Sequence, residues 1–127
     1  MYRRILVPVS GLAGDRRAID LAAAICSSGE TWLTLVYVVE VPQRYALDSE
    51  LPDQIEQGTS VLEAAASYAQ KVARGRWKRI TTELLQARVA AAAIVDEAIE
   101  RAADAIIMAT TSRWHLGVLT QGETLPY

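Results

Sequence analysis

No second cysteine accompanies Cys26 in the 127 residues. An internal disulfide is therefore excluded, and a reducing compartment suits the chain. Positive charge is in short supply too: 13 Lys and Arg stand against 15 Asp and Glu, a formal net charge of −2. That removes the global electrostatic reason to expect nucleic acid as a partner. No apolar run approaches the ~20 residues of a membrane span. No basic segment leads into a long apolar one, as a signal peptide requires. The expectation is a cytoplasmic protein with no direct membrane insertion. Metal-ligand spacing, a complete Gly-x4-Gly-Lys-Ser/Thr loop and a local Ser-His-Asp signature are all missing. The chain therefore reads as non-enzymatic, with no catalytic residue and no metal ligand to assign.

What remains is an ordinary globular composition, 51% apolar and 22% charged, in a length that suggests one domain with one core, residues 1–127. Residues 3–9, RRILVPV, read as a buried first strand, and Ser10-Gly11-Leu12-Ala13-Gly14 as a turn. Asp15 is placed to cap a helix running from Arg16 to about Ser27. Cys26 on that helix reads as a small core residue. Residues 31–39, TWLTLVYVV, form a second strand buried on both faces. Residues 40–57 change texture, with Pro42, Pro52 and the acids Asp48, Glu50, Asp53 and Glu56, and read as a long surface loop with a short helical turn after Pro52. Ser60 and Glu63 have capping-box spacing at the start of a helix expected over 60–74. It ends in a basic cluster, Lys71, Arg74, Arg76, Lys78 and Arg79, read as complementing the helix dipole, with an acidic partner or anionic membrane surface as the alternative. A third strand over 80–89, a third helix over 90–103 and a fourth strand over 105–109 follow.

Alternating strands and helices demand right-handed crossovers, so the fold class is α/β: a parallel sheet with helices on both faces. Ligands in such sheets bind at the carboxyl ends of strands where the chain direction switches. The ends at Ser10-Gly11 and Ala109-Thr110 should therefore adjoin. After the fourth strand comes Thr110-Thr111-Ser112-Arg113 and a stretch with Gly117 and Gly122. A strand running through small residues into a helix is a usual phosphate site, with free N–H groups and a favourable dipole. His115 is the only histidine; alone it reads as a surface residue. Trp114 reads as packing over its own loop.

The residues Arg4-Ile-Leu-Val-Pro-Val9, Leu33-Thr-Leu-Val-Tyr-Val-Val-Glu40, Ala92-Ala-Ile-Val-Asp-Glu-Ala98 and Ala103-Asp-Ala-Ile-Ile-Met-Ala109 together resemble the universal stress protein domain. The resemblance covers nearly the whole chain. It implies a five-stranded parallel sheet related to adenine-nucleotide-binding folds, a bound ATP or other adenine nucleotide in many members, and dimers built commonly through the last strand. A receiver-like sheet would need an acidic cluster after strand one and an Asp after strand three; Ser10-Gly11 and Arg88-Val89 do not supply them.

Carried onto this chain, the nucleotide crevice comprises Val9, Ser10, Val38, Ala109, Thr110, Thr111, Ser112, Arg113 and Gly122. The phosphate-binding pattern of ATP-binding members, Gly-x2-Gly-x9-Gly-Ser/Thr, falls on Ala109, Ser112, Gly122 and Glu123, of which only Gly122 matches. The acidic residue of those members falls on Ser10, and the backbone that meets adenine falls near Val38. Ala109 and Ser112 each add a Cβ where close approach to phosphate is wanted, and a carboxylate at Glu123 repels phosphates. Thr110, Thr111 and Ser112 still supply hydroxyls, and Arg113 and His115 positive charge.

The fifth strand of the family is absent on this reading. Strand four is left as an edge that invites pairing by a second copy or a partner chain. Either the protein is shortened, or it is a domain of a larger chain such as a transporter, or a partner fills the edge. The function expected is a regulatory or interaction domain without standard ATP binding; the alternative is a sensor of ATP, AMP or a cyclic nucleotide in the crevice.

Overall fold

Four runs of aliphatic and β-branched residues become parallel strands: β1 (Arg4–Pro8), β2 (Thr31–Glu40), β3 (Trp77–Ala87) and β4 (Ala105–Ala109). Three helices connect them: α1 (Gly14–Ile25), α2 (Pro52–Val72) and α3 (Ala90–Glu100). The computed structural model describes residues 2–109 and the backbone of 116–120. The sheet order is β3-β2-β1-β4-β5, where β5 is Leu116–Thr120. β1 sits between β2 and β4, with Ile5 opposite Leu33 on one side and Ala105 on the other. This places the carboxyl ends of β1 and β4 side by side, as the strand order expected from sequence requires. Asp104 sets that junction. Its carboxylate accepts from the Arg3 and Arg4 N–H groups at 2.7 and 2.9 Å, and its own N–H donates to the Arg4 carbonyl.

The edge expected at β4 is not open. β5 pairs with it antiparallel, Ile107 opposite Val118. The six residues 110–115 are too few for the crossover of a dozen or more that a parallel strand needs, whereas an antiparallel return needs only a hairpin. The stretch with Gly117 is thus a strand, not the start of a helix. No fifth parallel strand occurs among the described residues, but the chain itself covers the β4 edge.

Side-chain alternation along the strands sorts the core into two layers. Ile5, Val7, Leu33, Leu35 and Ile107 pack with Ile19 of α1 and Leu62, Ala65 and Ala69 of α2. Leu6, Val36 and Ile106 pack with Ile94 and Ala98 of α3. Cys26 is buried and unpaired, its thiol donating to the Ala23 carbonyl, as a small core residue. Each large aliphatic removed from water contributes roughly 1.5–3 kcal/mol.

Boundaries moved where a local signal competed with packing. α2 begins at Pro52, whose fixed φ and missing N–H suit a first helical position. It therefore absorbs the end of the expected loop, and Ser60 and Glu63 lie mid-helix, not in a capping box. β3 begins at Trp77, so Lys78 and Arg79 of the basic cluster are strand residues. α3 ends in a Schellman motif: Ala103 N–H donates to the Ala98 carbonyl and Ala102 N–H to the Ile99 carbonyl. The left-handed position is filled by Ala102 at φ 53°. No helix among the described residues is long and apolar enough to cross a membrane.

Candidate functional site

The carboxyl ends of β1, β2 and β4 enclose a cavity of about 270 Å³. Val9, Ser10, Val38 and Ala109 all line it, so the structure brings together four of the residues singled out in the sequence. Thr110, Thr111, Ser112, Arg113 and Gly122 lie outside the described residues, as do Trp114, His115 and Glu123. Val9 extends the β1–β2 ladder by one bond, its N–H donating to the Val36 carbonyl at 2.8 Å. The chain then turns at Gly11, whose φ of 87° is the left-handed conformation that glycine adopts without strain.

Asp15 is the residue that the sequence reading placed wrongly. It does not cap α1: the cap position is Ala13, with no side-chain hydrogen bond. Instead its carboxylate reaches back across the turn. It accepts from Ser10 N–H at 3.0 and 3.1 Å, from Gly11 N–H at 2.7 Å and from the Ser10 hydroxyl at 3.3 Å. Those N–H groups, in the turn between β1 and α1, are donors that would otherwise be free to meet an anion. The α3 helix is treated alike. Ala90 N–H, at the cavity wall, donates to the Glu40 carboxylate at 2.8 Å. The β1–α1 turn and the N-terminus of α3, both at the crevice, thus carry carboxylates of the chain itself. Neither residue was singled out for the site. A signal for Asp15 was present in its position five residues after Ser10 behind two glycines, but it was weighed only as a cap.

Ala109 closes the crevice from the β4 side. It stands against Gly14 so closely that a Cβ added to Gly14 would lie 2.5 Å from its own. A second cavity, of about 330 Å³, lies between α1 and α2, and Asp15 also lines this one. On its rim the Tyr68 hydroxyl donates to Asp20 Oδ1 at 2.7 Å, while the Arg16 guanidinium lies 4.8 Å from the Tyr68 ring centroid. The Asp20 hydrogen bond, with lesser help from desolvation and the Asp20 charge, raises the Tyr68 pKa above its ordinary value; Arg16 opposes the shift. Among the described residues no group of three His, Cys, Asp or Glu side chains is placed to hold a metal ion.

The sequence model of the universal stress protein family matches residues 1–124. The chain belongs to the universal stress protein family. Among solved structures it is similar to a universal stress protein from Archaeoglobus fulgidus, at 22% identity and TM-score 0.69, over 89% of this chain and 80% of that one. A family member from Burkholderia pseudomallei aligns at 25% identity and TM-score 0.64, over 86% of this chain and 82% of that one. A universal stress protein in complex with cAMP aligns at 19% identity and TM-score 0.65, over 83% of this chain and 74% of that one. No curated protein matches the chain.

Membership implies an adenine nucleotide for many of these domains, and the residues present can be tested against one. The cavity is in the expected place, and its apolar walls of Val36, Val38 and Ile94 suit a base. At the phosphate end, the N–H donors of Ser10 and Gly11 are engaged by Asp15, and Ala109 places a methyl where the binding pattern has glycine.

Proposed function

We propose that this universal stress protein domain is a non-enzymatic regulatory or interaction module of the cytoplasm. On this reading it does not hold ATP as the ATP-binding members do, and it acts through dimerisation or docking. One observation supports the reading: the Asp15 carboxylate accepts the N–H groups of Ser10 and Gly11 at the end of β1. An incoming phosphate meets an internal anion instead of free donors, a repulsion on the order of several kcal/mol in a partly buried site. The departures at Ala109, Ser112 and Glu123 act in the same direction. The outer sheet edges are β5 and β3, so an edge-pairing partner docks there and not on β4.

The test is calorimetric titration of the whole chain with ATP, AMP and cAMP, alongside thermal melts. No saturable heat and no shift in Tm at millimolar ATP is expected, where a ligand at 100 times its Kd would add about 2.7 kcal/mol. Micromolar ATP binding overturns the proposal. Sedimentation should show a concentration-dependent dimer; a strictly monomeric species counts against the dimerisation part.

A second reading is an adenine-nucleotide sensor, as in the cytosolic domain of a transporter. It is favoured by the similar fold solved with cAMP and by the cavity at the same strand ends. It predicts a Tm rise with AMP or cAMP in the same melts.

A further inference from the structure

The opposite end of the sheet, away from the crevice, carries a second arrangement of polar groups. Strand register puts Arg4, Trp32 and Arg79 in one row across β1, β2 and β3. The two guanidinium carbons stand 5.7 and 5.9 Å from the Trp32 ring centroid. Trp32 remains 37% exposed between them. The next row inward holds Leu6, Thr34 and Thr81. Arg101, just past the end of α3, closes the far side. A pocket of about 120 Å³ results, walled by Arg4, Trp32, Arg101 and Ala103, with Thr34 and Thr81 also lining it.

Thr34 is the informative residue. It is only 8% exposed, yet its hydroxyl has no hydrogen-bond partner among the described residues. The other buried threonine, Thr31, bonds the Tyr2 carbonyl and both backbone groups of Ser27. No fully enclosed side-chain polar atom is left unpaired among the described residues, so the Thr34 hydroxyl opens onto the pocket. A buried hydroxyl without a partner is costly unless something in the cavity bonds it.

Charge decides what that something is. The nearby acids are engaged. Glu83 and Glu97 both bind Arg101, and Asp104 faces the Arg3 and Arg4 N–H groups. Arg4 and Arg79 make no ion pair among the described residues. The carbonyl end of α3, which would repel an anion, is closed by the N–H groups of Arg101, Ala102 and Ala103. The pocket's volume of about 120 Å³ suits a small ion of a few heavy atoms.

We propose that the pocket binds a free tetrahedral oxyanion of the inorganic phosphate type. Arg4, without an ion pair among the described residues, donates the charge-assisted hydrogen bonds, the Thr34 and Thr81 hydroxyls complete the shell, Arg101 walls the far side while held by Glu83 and Glu97, and Arg79 lies against Trp32. The site is independent of the crevice.

The experiment is an NMR titration of the whole chain with inorganic phosphate at constant ionic strength, following the Trp32 indole and the Thr34 and Thr81 amides. Saturable shifts confined to this end, with a Kd on the order of millimolar or below, are expected. Thr34→Val, nearly the same shape without the hydroxyl, and Arg4→Gln should each weaken binding by roughly tenfold. Arg44→Gln, which removes one charge at the other end of the sheet, should leave it unchanged. Melting curves verify that each variant is folded, and Arg4→Gln serves alone if Thr34→Val is not. The proposal is overturned by non-saturating shifts, by folded Thr34→Val and Arg4→Gln chains that bind like the parent, or by equal weakening in Arg44→Gln.

Discussion

Gly14 and Ala109 are complementary: a Cβ on Gly14 would sit 2.5 Å from the Cβ of Ala109, a separation at which two carbons cannot both stay. The missing side chain at the start of α1 makes room for the methyl at the end of β4. Gly14→Ala should therefore destabilise by about 1–3 kcal/mol through overpacking, exceeding the at most ~1 kcal/mol that alanine gains in helix propensity. Urea denaturation measures it. The double variant Gly14→Ala/Ala109→Gly should recover most of the loss, giving a large coupling energy; additive effects would show that the two sites do not touch.

Asp15 has two separable consequences. Asp15→Ala frees the N–H groups of Ser10 and Gly11 and should cost about 1–3 kcal/mol of stability, because charge-assisted bonds to a carboxylate are lost. The same change should raise affinity for ATP or AMP relative to the parent, measured by calorimetry at equal ionic strength. If stability falls but nucleotide affinity does not rise, Asp15 is a loop staple with no part in anion rejection.

Ala102 predicts a gain. A non-glycine residue at φ 53° carries a steric cost, and its position in a Schellman motif is the one glycine fills best. Ala102→Gly should stabilise by about 0.5–1 kcal/mol, after the added freedom of glycine in the unfolded chain is subtracted. A thermal melt with a higher midpoint is the expected reading; an unchanged or lower one contradicts the strain.

Tyr68 ties stability to alkaline pH. Its pKa is raised above the ordinary 10.0, first by the hydrogen bond to Asp20. The folded state thus prefers the protonated phenol, so this contribution is fully present below the unfolded pKa and disappears as pH rises through the folded one. Tyrosinate absorbance should show one late-titrating tyrosine, missing in Tyr68→Phe. The stability gap between parent and Tyr68→Phe should shrink across that alkaline window; a gap constant with pH would argue against the linkage.

Much of this fold was legible without coordinates, for a definite reason. The β-branched runs at Ile5–Val7 and Leu33–Val39 can satisfy both faces only as buried parallel strands. The four residues between Glu100 and Ala105 leave room for nothing but a tight return. Strand four was placed residue for residue because the aliphatic run from Ala105 to Ala109 is bounded by Asp104 on one side and polar residues on the other. Ser60 and Glu63 misled because capping-box spacing is also common inside a helix that Pro52 has already begun. Leu116–Thr120 misled because Gly117 and Gly122 suggested a loop, while pairing with β4 rewards any extended run long enough to cover the edge.

The sequence by itself determined the alternation of strands and helices and the adjacency of Ser10 and Ala109, since both follow from local periodicity and the handedness of crossovers, and it pointed to the family through the resemblance of four of its segments. Only the tertiary structure decided what those ends present to a ligand. Whether Asp15 faces its own helix or reaches back to Ser10 and Gly11 depends on the turn from Gly11 to Gly14, which packs against Val61 of α2 and Ala109 of β4. So does the meeting of Gly14 with Ala109, and of Arg4, Trp32 and Arg79, residues far apart in the chain that only sheet register brings within a few ångströms.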